Sequence, residues 1–140
     1  MISKKVIVAF EKLLGSENVF LDRTRLSLYS KGSIDRYEHL PEIVLQVQSA
    51  GQVTVAMGIA ARHKIPVVVR GGGLSTTGAV VPVEGVIVLD MKRMNRIEVS
   101  IENGYMVAEA GTTLFEADAA CSGSSIRFSI ENYHNSLYST

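Results

Sequence analysis

The fold is decided by the stretch from Ile65 to Gly78, IPVVVRGGGLSTTG, in which a β-branched run leads into a glycine-rich loop. The valines at 67–69 predict a strand, and because the run is apolar on both faces we expect it in the centre of a sheet. The glycines at 71–73 cost backbone entropy in regular structure, but they permit positive φ and a surface without Cβ atoms. Consecutive amides in such a loop can converge on an anion.

The segments on either side predict an α/β fold. The apolar residues 43–47 follow Pro41 and predict a strand, and Ser49 and Gln52 have the spacing of a capping box that starts a helix. With the strand at 67–69, this gives a βαβ unit, which implies parallel pairing. Residues 86–90 predict another buried strand.

Further patterns predict two helices and a hairpin. Apolar residues recur at helical spacing between Ser3 and Gly15, and a second capping box at Thr113 starts a helix that runs to about Cys121. Alternation over residues 97–101 and 106–110 flanks Asn103-Gly104, which predicts a type I′ turn that pairs Ile101 with Met106 and Val99 with Ala108. Residues 19–40 give no clear pattern. The fold class is therefore α/β (α+β): a small mixed sheet with a βαβ unit, an antiparallel hairpin and packed helices.

The composition excludes several classes of function. The chain has 140 residues, enough for one domain, and 14 basic residues balance 14 acidic ones, so no nucleic-acid partner is expected. The single cysteine excludes an internal disulfide and a multi-cysteine metal site, and we expect it to be buried. We expect no metal site and no membrane span, and a cytoplasmic location, because the sequence has no apolar run of membrane length and no signal-peptide pattern.

The glycine loop follows the carboxyl end of a predicted parallel strand, where open α/β sheets bind ligands. The hydroxyls at 75–77 could donate to phosphate, but the loop has neither the lysine of a Walker A motif nor the third glycine of a Rossmann fingerprint. From these residues alone the loop is either an anion site or a surface turn without a ligand. Arg70 could anchor a phosphate or carboxylate, or pair with a buried carboxylate such as Asp90.

Several ordered motifs together resemble one family. They are the run 65–78, Val81-Pro82, the segment 85–95 (GVIVLDMKRMN), Leu14-Gly15, Tyr29-Ser30, Pro41 with Ile43-Val44, and residues 107–112. In this order they are similar to the N-terminal FAD-binding lobe of the glycolate oxidase and D-lactate dehydrogenase family of flavoenzymes. Those enzymes share the fold of vanillyl-alcohol oxidase and p-cresol methylhydroxylase. The resemblance covers about residues 5 to 120, so the fold implied is the first subdomain of a p-cresol-methylhydroxylase-type (PCMH-type) FAD-binding domain.

The resemblance implies a site for FAD. The residues that it assigns to the pyrophosphate are Arg70, Gly71, Gly72, Gly73, Leu74 and Ser75, with Thr76 and Gly78 close by, and Pro41 and Val69 toward the adenine. Relatives that bind flavin covalently often have histidine at the position of Leu74. Leucine has no nucleophilic nitrogen, so we expect non-covalent FAD.

The family pattern stops near Gly123, and the substrate domain and its catalytic residues have no counterpart here, so no catalytic residue is assigned. We therefore predict an FAD-binding lobe at 1–123 and a tail at 124–140. The predicted function is an FAD-binding fragment or subunit of a flavin-dependent 2-hydroxy-acid oxidoreductase, inactive as an isolated chain. We expect it to form a homo-oligomer or to join a second chain that supplies the missing half. The alternatives are an assembly module that kept the fold without the flavin, and a site for a smaller phosphate-containing ligand.

Overall fold

A computed structural model of the chain describes residues 1–32, 38–75 and 77–125. Four α-helices, one 3-10 turn and six strands are found in these ranges. In chain order they are α1 (Lys4–Leu14), the 3-10 turn (Ser16–Asn18), β1 (Val19–Phe20), α2 (Arg23–Ser27), β2 (Ile43–Gln46), α3 (Ala50–Arg62), β3 (Val67–Arg70), β4 (Ile87–Asp90), β5 (Ile97–Ser100), β6 (Tyr105–Ala108) and α4 (Leu114–Cys121). The mixed α/β class predicted from the sequence is confirmed.

The helix boundaries follow their capping residues. Gly15 ends α1 with a φ of 84°, a conformation that glycine adopts without strain. Ser49 caps α3 by accepting a hydrogen bond from the Gln52 amide at 3.3 Å. The Gln52 side chain, however, accepts from the amide of Gln48 at 2.7 Å, so the predicted capping box forms only in its first half.

Helix α4 begins with a complete capping box. Thr113 Oγ1 accepts from the Glu116 amide at 3.1 Å, and Glu116 Oε2 accepts from the Thr113 amide at 2.8 Å. At the other end of the helix Cys121 is buried, as predicted. Local sequence alone therefore determines where this helix begins.

The main sheet has the strand order β1-β2-β4-β3. Strands β2 and β3 both pair with β4 in parallel, and β1 pairs with β2 antiparallel. The parallel orientation predicted for the βαβ unit is confirmed, but its two strands do not pair with each other, because β4 lies between them. The expectation that residues 67–69 form the central strand is wrong: within the described residues β3 is an edge strand, and Val69 is 54% exposed. A β-branched run fits any pleated surface, so it does not reveal which neighbours the strand has.

The core lies on both faces of this sheet. On one face, alternate residues of β2 and β4 pack against α1 and α3; the buried members include Val6, Phe10, Leu14, Ile43, Leu45, Ala56, Ile59, Ala60, Ile87 and Leu89. On the other face Val44 and Val88 pack against Leu26 and Tyr29. Because side chains alternate along a strand, the last residues of β2, β4 and β3 share this second face.

The hairpin differs from its predicted register by two residues. The observed pairs are Ile97 with Ala108 and Val99 with Met106, joined by a four-residue turn over 101–104. Gly104 has a φ of 68°, whereas Asn103 is not among the residues with positive φ, so the turn is not type I′. A slip by two keeps every side chain on its predicted face, which explains why the alternation could not exclude it.

Candidate functional site

The glycine loop leaves β3 at the carboxyl edge of the parallel strands. Arg70 is the last residue of β3 and pairs in register with Asp90, the last residue of β4. The loop then runs from Gly71 to the buried Pro82. Gly73 and Gly78 have positive φ values of 82° and 79°. The predicted position of the loop, just past the carboxyl end of a parallel strand, is thus confirmed.

The backbone amides of the loop suit an anion. Among the described residues, no acceptor is found for the N–H groups of residues 71–75. The next described amide, that of Thr77, donates to Ser75 Oγ at 3.3 Å, and the two hydroxyls lie 3.0 Å apart. Backbone donors are rarely left without partners unless a ligand or water reaches them. Consecutive amides with little side-chain cover therefore fit a phosphate group.

The predicted site residues do not all lie together. Leu74, Ser75 and Gly78 are half-buried in the loop, and Val69 precedes it on the exposed edge of β3. Pro41 is buried just before the amino end of β2, whereas the loop lies at the carboxyl ends of the parallel strands. Thr76 lies outside the described residues. The contacts of these residues with FAD stay predictions.

Arg70 lies beneath the loop and is only 8% exposed. Its Nη1 donates to the carbonyl of Lys31 at 2.6 Å and to that of Val80 at 3.5 Å. Nε is buried and has no acceptor among the described residues. Burial lowers the pKa of the guanidinium, while electrostatic interactions with Tyr29 and Asp90 act to raise it. Of the two interpretations left open by the sequence, the pairing with Asp90 is not a direct ion pair in the described structure.

Asp90 is the centre of a buried polar layer under the loop. Its carboxylate accepts from Tyr29 Oη at 2.7 Å, from Gln46 Nε2 at 3.2 Å and from the Lys92 amide at 3.0 Å. Burial is the main cause that raises the pKa of Tyr29 above its ordinary value, and the hydrogen bond to Asp90 adds to it. The Tyr29 phenol therefore stays protonated and serves as a fixed donor to the carboxylate.

Sequence reasoning missed the segment that packs beside the loop. A Cβ added at Gly32 would lie 3.3 Å from the side chains of both Val80 and Val81, so this turn lies against the loop. Tyr29 and Lys31 come from the same segment and contact Arg70 through the ring and the carbonyl. The only sequence signal was the Tyr29-Ser30 pair within the family resemblance, because residues 19–40 lack periodicity.

The described residues form neither a metal-ion cluster nor a membrane-spanning helix. In the ranges 1–32, 38–75 and 77–125 there is no cluster of three or more His, Cys, Asp or Glu side chains that could hold a metal ion. In the same part of the chain no helix has the length and hydropathy needed to cross a bilayer.

Comparison with known proteins identifies the family. Residues 41–136 match the family described as "FAD binding domain". The chain is 31% identical over 112 residues to glycolate oxidase subunit GlcD of Bacillus subtilis (strain 168), covering 79% of this chain and 24% of that protein. It is 35% identical over 78 residues to D-lactate dehydrogenase of Archaeoglobus fulgidus, covering 56% and 18%.

A solved structure gives the same result. The crystal structure of p-cresol methylhydroxylase with substrate bound superposes with a TM-score of 0.72 at 28% identity, covering 84% of this chain and 24% of that one. The chain thus spans 18% to 24% of the length of these relatives. The family match extends to residue 136, beyond residue 120 where the motif resemblance ended. FAD is the cofactor of this domain, and the chain belongs to the family of FAD binding domains.

Proposed function

We propose that the loop from Gly71 to Gly78 holds the pyrophosphate of FAD without a covalent bond, in an oxidoreductase that acts on 2-hydroxy acids. The observation that carries the proposal is the run of amides at 71–75 that have no acceptor among the described residues. A pyrophosphate presents several oxygens to such donors. Leu74 supports non-covalent binding, because its side chain offers no nucleophile.

When bound, FAD would supply an acceptor for the hydride of the substrate α-carbon. The contribution of this chain is to bind and orient. The amides of the loop and the Ser75 hydroxyl would donate hydrogen bonds to the pyrophosphate. Thr76 and Gly78 are proposed near the pyrophosphate, and Val69 and Pro41 toward the adenine. The 2-hydroxy-acid assignment is supported by the names of the two curated relatives, since glycolate and D-lactate are both 2-hydroxy acids.

A flavin titration tests the loop. We expect the purified chain to bind FAD with a dissociation constant on the order of micromolar, ADP to compete, and riboflavin, which lacks the pyrophosphate, to bind far more weakly. Gly72→Asp places a carboxylate against the pyrophosphate and should abolish binding. The matched control is Gly58→Asp, because Gly58 lies on the exposed surface of α3 with no atom within 4 Å of an added Cβ.

Three results would count against the proposal. Absence of FAD binding by the chain at micromolar concentrations refutes the binding function. Equal binding by Gly72→Asp and Gly58→Asp places the cofactor elsewhere. Flavin that stays with the protein after acid precipitation refutes the non-covalent mode.

We propose that the exposed apolar surface of the chain binds a partner. Large apolar side chains that are more than half exposed are found beside the glycine loop, on the hairpin and on α4; they include Val69, Val83, Ile101, Tyr105, Val107 and Phe115. Apolar surface of this kind is commonly covered by another polypeptide surface. We propose a lobe at 1–123 that packs against the substrate-binding part of the enzyme, from the same or a second chain, or against another copy of itself, in the cytoplasm.

The same surface favours a second candidate, an assembly module that kept the fold without the flavin. The two are separated by isolating the native assembly through a tag on this chain. We expect it to contain FAD and to reduce a dye with glycolate or D-lactate. An assembly without flavin supports the module, and dye reduction with a phenol alone overturns the 2-hydroxy-acid assignment.

A further inference from the structure

Arg70 ties the glycine loop to its surroundings on both sides. Through Nη1 it donates to Lys31, which precedes β2, and to Val80, which lies near the end of the loop. Both acceptors are backbone carbonyls, so these bonds depend on the path of the chain and not on side-chain conformation. The guanidinium thereby links β3 to Lys31, which is 39 residues away, and to Val80, which is 10 residues away.

The loop crosses directly over this guanidinium at Gly73. A Cβ added there would overlap Nη2 and would lie 2.6 Å from Cζ and 2.8 Å from Nε of Arg70. Real Cβ atoms essentially never come this close to another atom. The backbone of Gly73 therefore covers the face of the guanidinium, and the buried Nε lies beneath the loop without an acceptor among the described residues.

The layer below fixes the position of Arg70. The Tyr29 ring has its centroid 5.7 Å from Cζ of Arg70, and its hydroxyl donates to Asp90. Asp90 is fully buried and lies opposite Arg70 in the strand register. The Tyr29 ring and the Asp90 carboxylate favour a cation at this place. The hydrogen bonds that Asp90 accepts fix the positions of the ring and the carboxylate.

We propose that Arg70 is a positioning residue, which shapes the loop for the pyrophosphate and does not itself contact it. The inference rests on the proposed function of the loop. Nη1 donates to two backbone carbonyls, and Gly73 covers the face of the guanidinium. What Arg70 supplies is the fixed path of residues 71–75, whose amides bind the anion. This replaces the direct phosphate contact that the sequence left open.

The test compares Arg70→Lys, Arg70→Met and Tyr29→Phe, with Arg62→Lys as the matched control on the exposed end of α3. FAD affinity is measured over a range of salt concentrations below the unfolding temperature, and backbone amide spectra are recorded without FAD. Lysine keeps the charge but lacks the planar guanidinium with its several N–H donors. We therefore expect Arg70→Lys to bind FAD at least about tenfold more weakly than the wild type, and nearly as weakly as Arg70→Met. The amide signals of residues 71–75 should move in both variants, and to a smaller extent in Tyr29→Phe. The salt dependence of binding should match that of the wild type.

Wild-type affinity in Arg70→Lys, or a flatter salt dependence in Arg70→Met, would mean a direct charge contact and would overturn the inference. If the wild type itself binds no FAD, the proposed function fails. The amide spectra of the free variants then still decide the positioning role, and unchanged loop signals overturn it. Should Arg70→Met fail to fold, Arg70→Lys and Tyr29→Phe provide the same comparison.

Discussion

Replacing Gly111 by alanine tests a close approach between two backbone segments. An added Cβ would overlap the Met91 carbonyl oxygen and would lie 2.8 Å from the carbonyl oxygen of Met94 and 2.9 Å from the carbonyl carbon of Lys92. All three atoms belong to the backbone, so no side chain can rotate away. The Gly111 amide also donates to Met94 at 2.7 Å, which joins the hairpin to the turn after β4.

Relief of this overlap requires the two segments to separate and weakens that hydrogen bond. Overpacking of a rigid site costs about 1–3 kcal/mol and loss of a hydrogen bond about 1 kcal/mol. We therefore expect Gly111→Ala to lower the free energy of unfolding by about 3 kcal/mol, which lowers the melting temperature by about 10 °C in a domain of this size.

The assay is urea unfolding followed by circular dichroism, with the slope held common to all variants. Gly58→Ala is the control: Gly58 lies in the interior of α3 with open space around it, and alanine should stabilise the helix by about 0.5–1 kcal/mol. If Gly111→Ala unfolds within about 0.5 kcal/mol of the wild type, the close approach at Gly111 is wrong.

Two further predictions concern local electrostatics and capping. Thr113→Ala removes the capping box of α4 and should cost about 1 kcal/mol in urea unfolding, whereas Thr54→Ala, which removes only an exposed bond within α3, should cost almost nothing; equal effects would contradict the capping role. The Arg96 side chain and amide donate to Glu109 and lower the pKa of that carboxyl below its ordinary value of 4.5. A depressed carboxyl pKa stabilises the fold above the unfolded pKa, so the difference in melting temperature between wild type and Glu109→Gln should be present at neutral pH and shrink as the pH falls below 4.5. A difference that is independent of pH would refute this linkage.

Local signals determined what the sequence could predict. The caps at Ser49 and Thr113 and the glycine at position 15 act within one helical turn, so they locate helix ends without knowledge of the rest of the chain. The alternation around Asn103 fixed which side chains share a face, but a shift of register by two residues leaves that pattern unchanged. The alternation therefore could not predict which turn forms.

Long-range neighbours could not be predicted. The valines at 67–69 would suit a central strand or an edge, and only the pairing of β4 with both β2 and β3 decides between them. The same holds for Arg70: the sequence shows a basic residue before three glycines, and its burial depends on Tyr29 and Lys31, which come from a segment without periodicity. The glycine loop could be located because its glycines are contiguous, and FAD was predicted for it from the family resemblance. The residues that support the loop were not predicted, because they are distant in sequence.

The edge position of β3 explains why the loop needs such a support. A loop that follows a central strand is flanked by the ends of two neighbouring strands, whereas in the described sheet the loop after β3 has β4 on one side only. Arg70 supplies the missing constraint by bonding to Lys31 and Val80, and Gly73 lets the loop lie against it. A flexible loop would lose conformational entropy on binding FAD, and a loop already held in place loses less. The buried charge of Arg70 is therefore best explained as the means by which an edge strand presents a preorganised anion site.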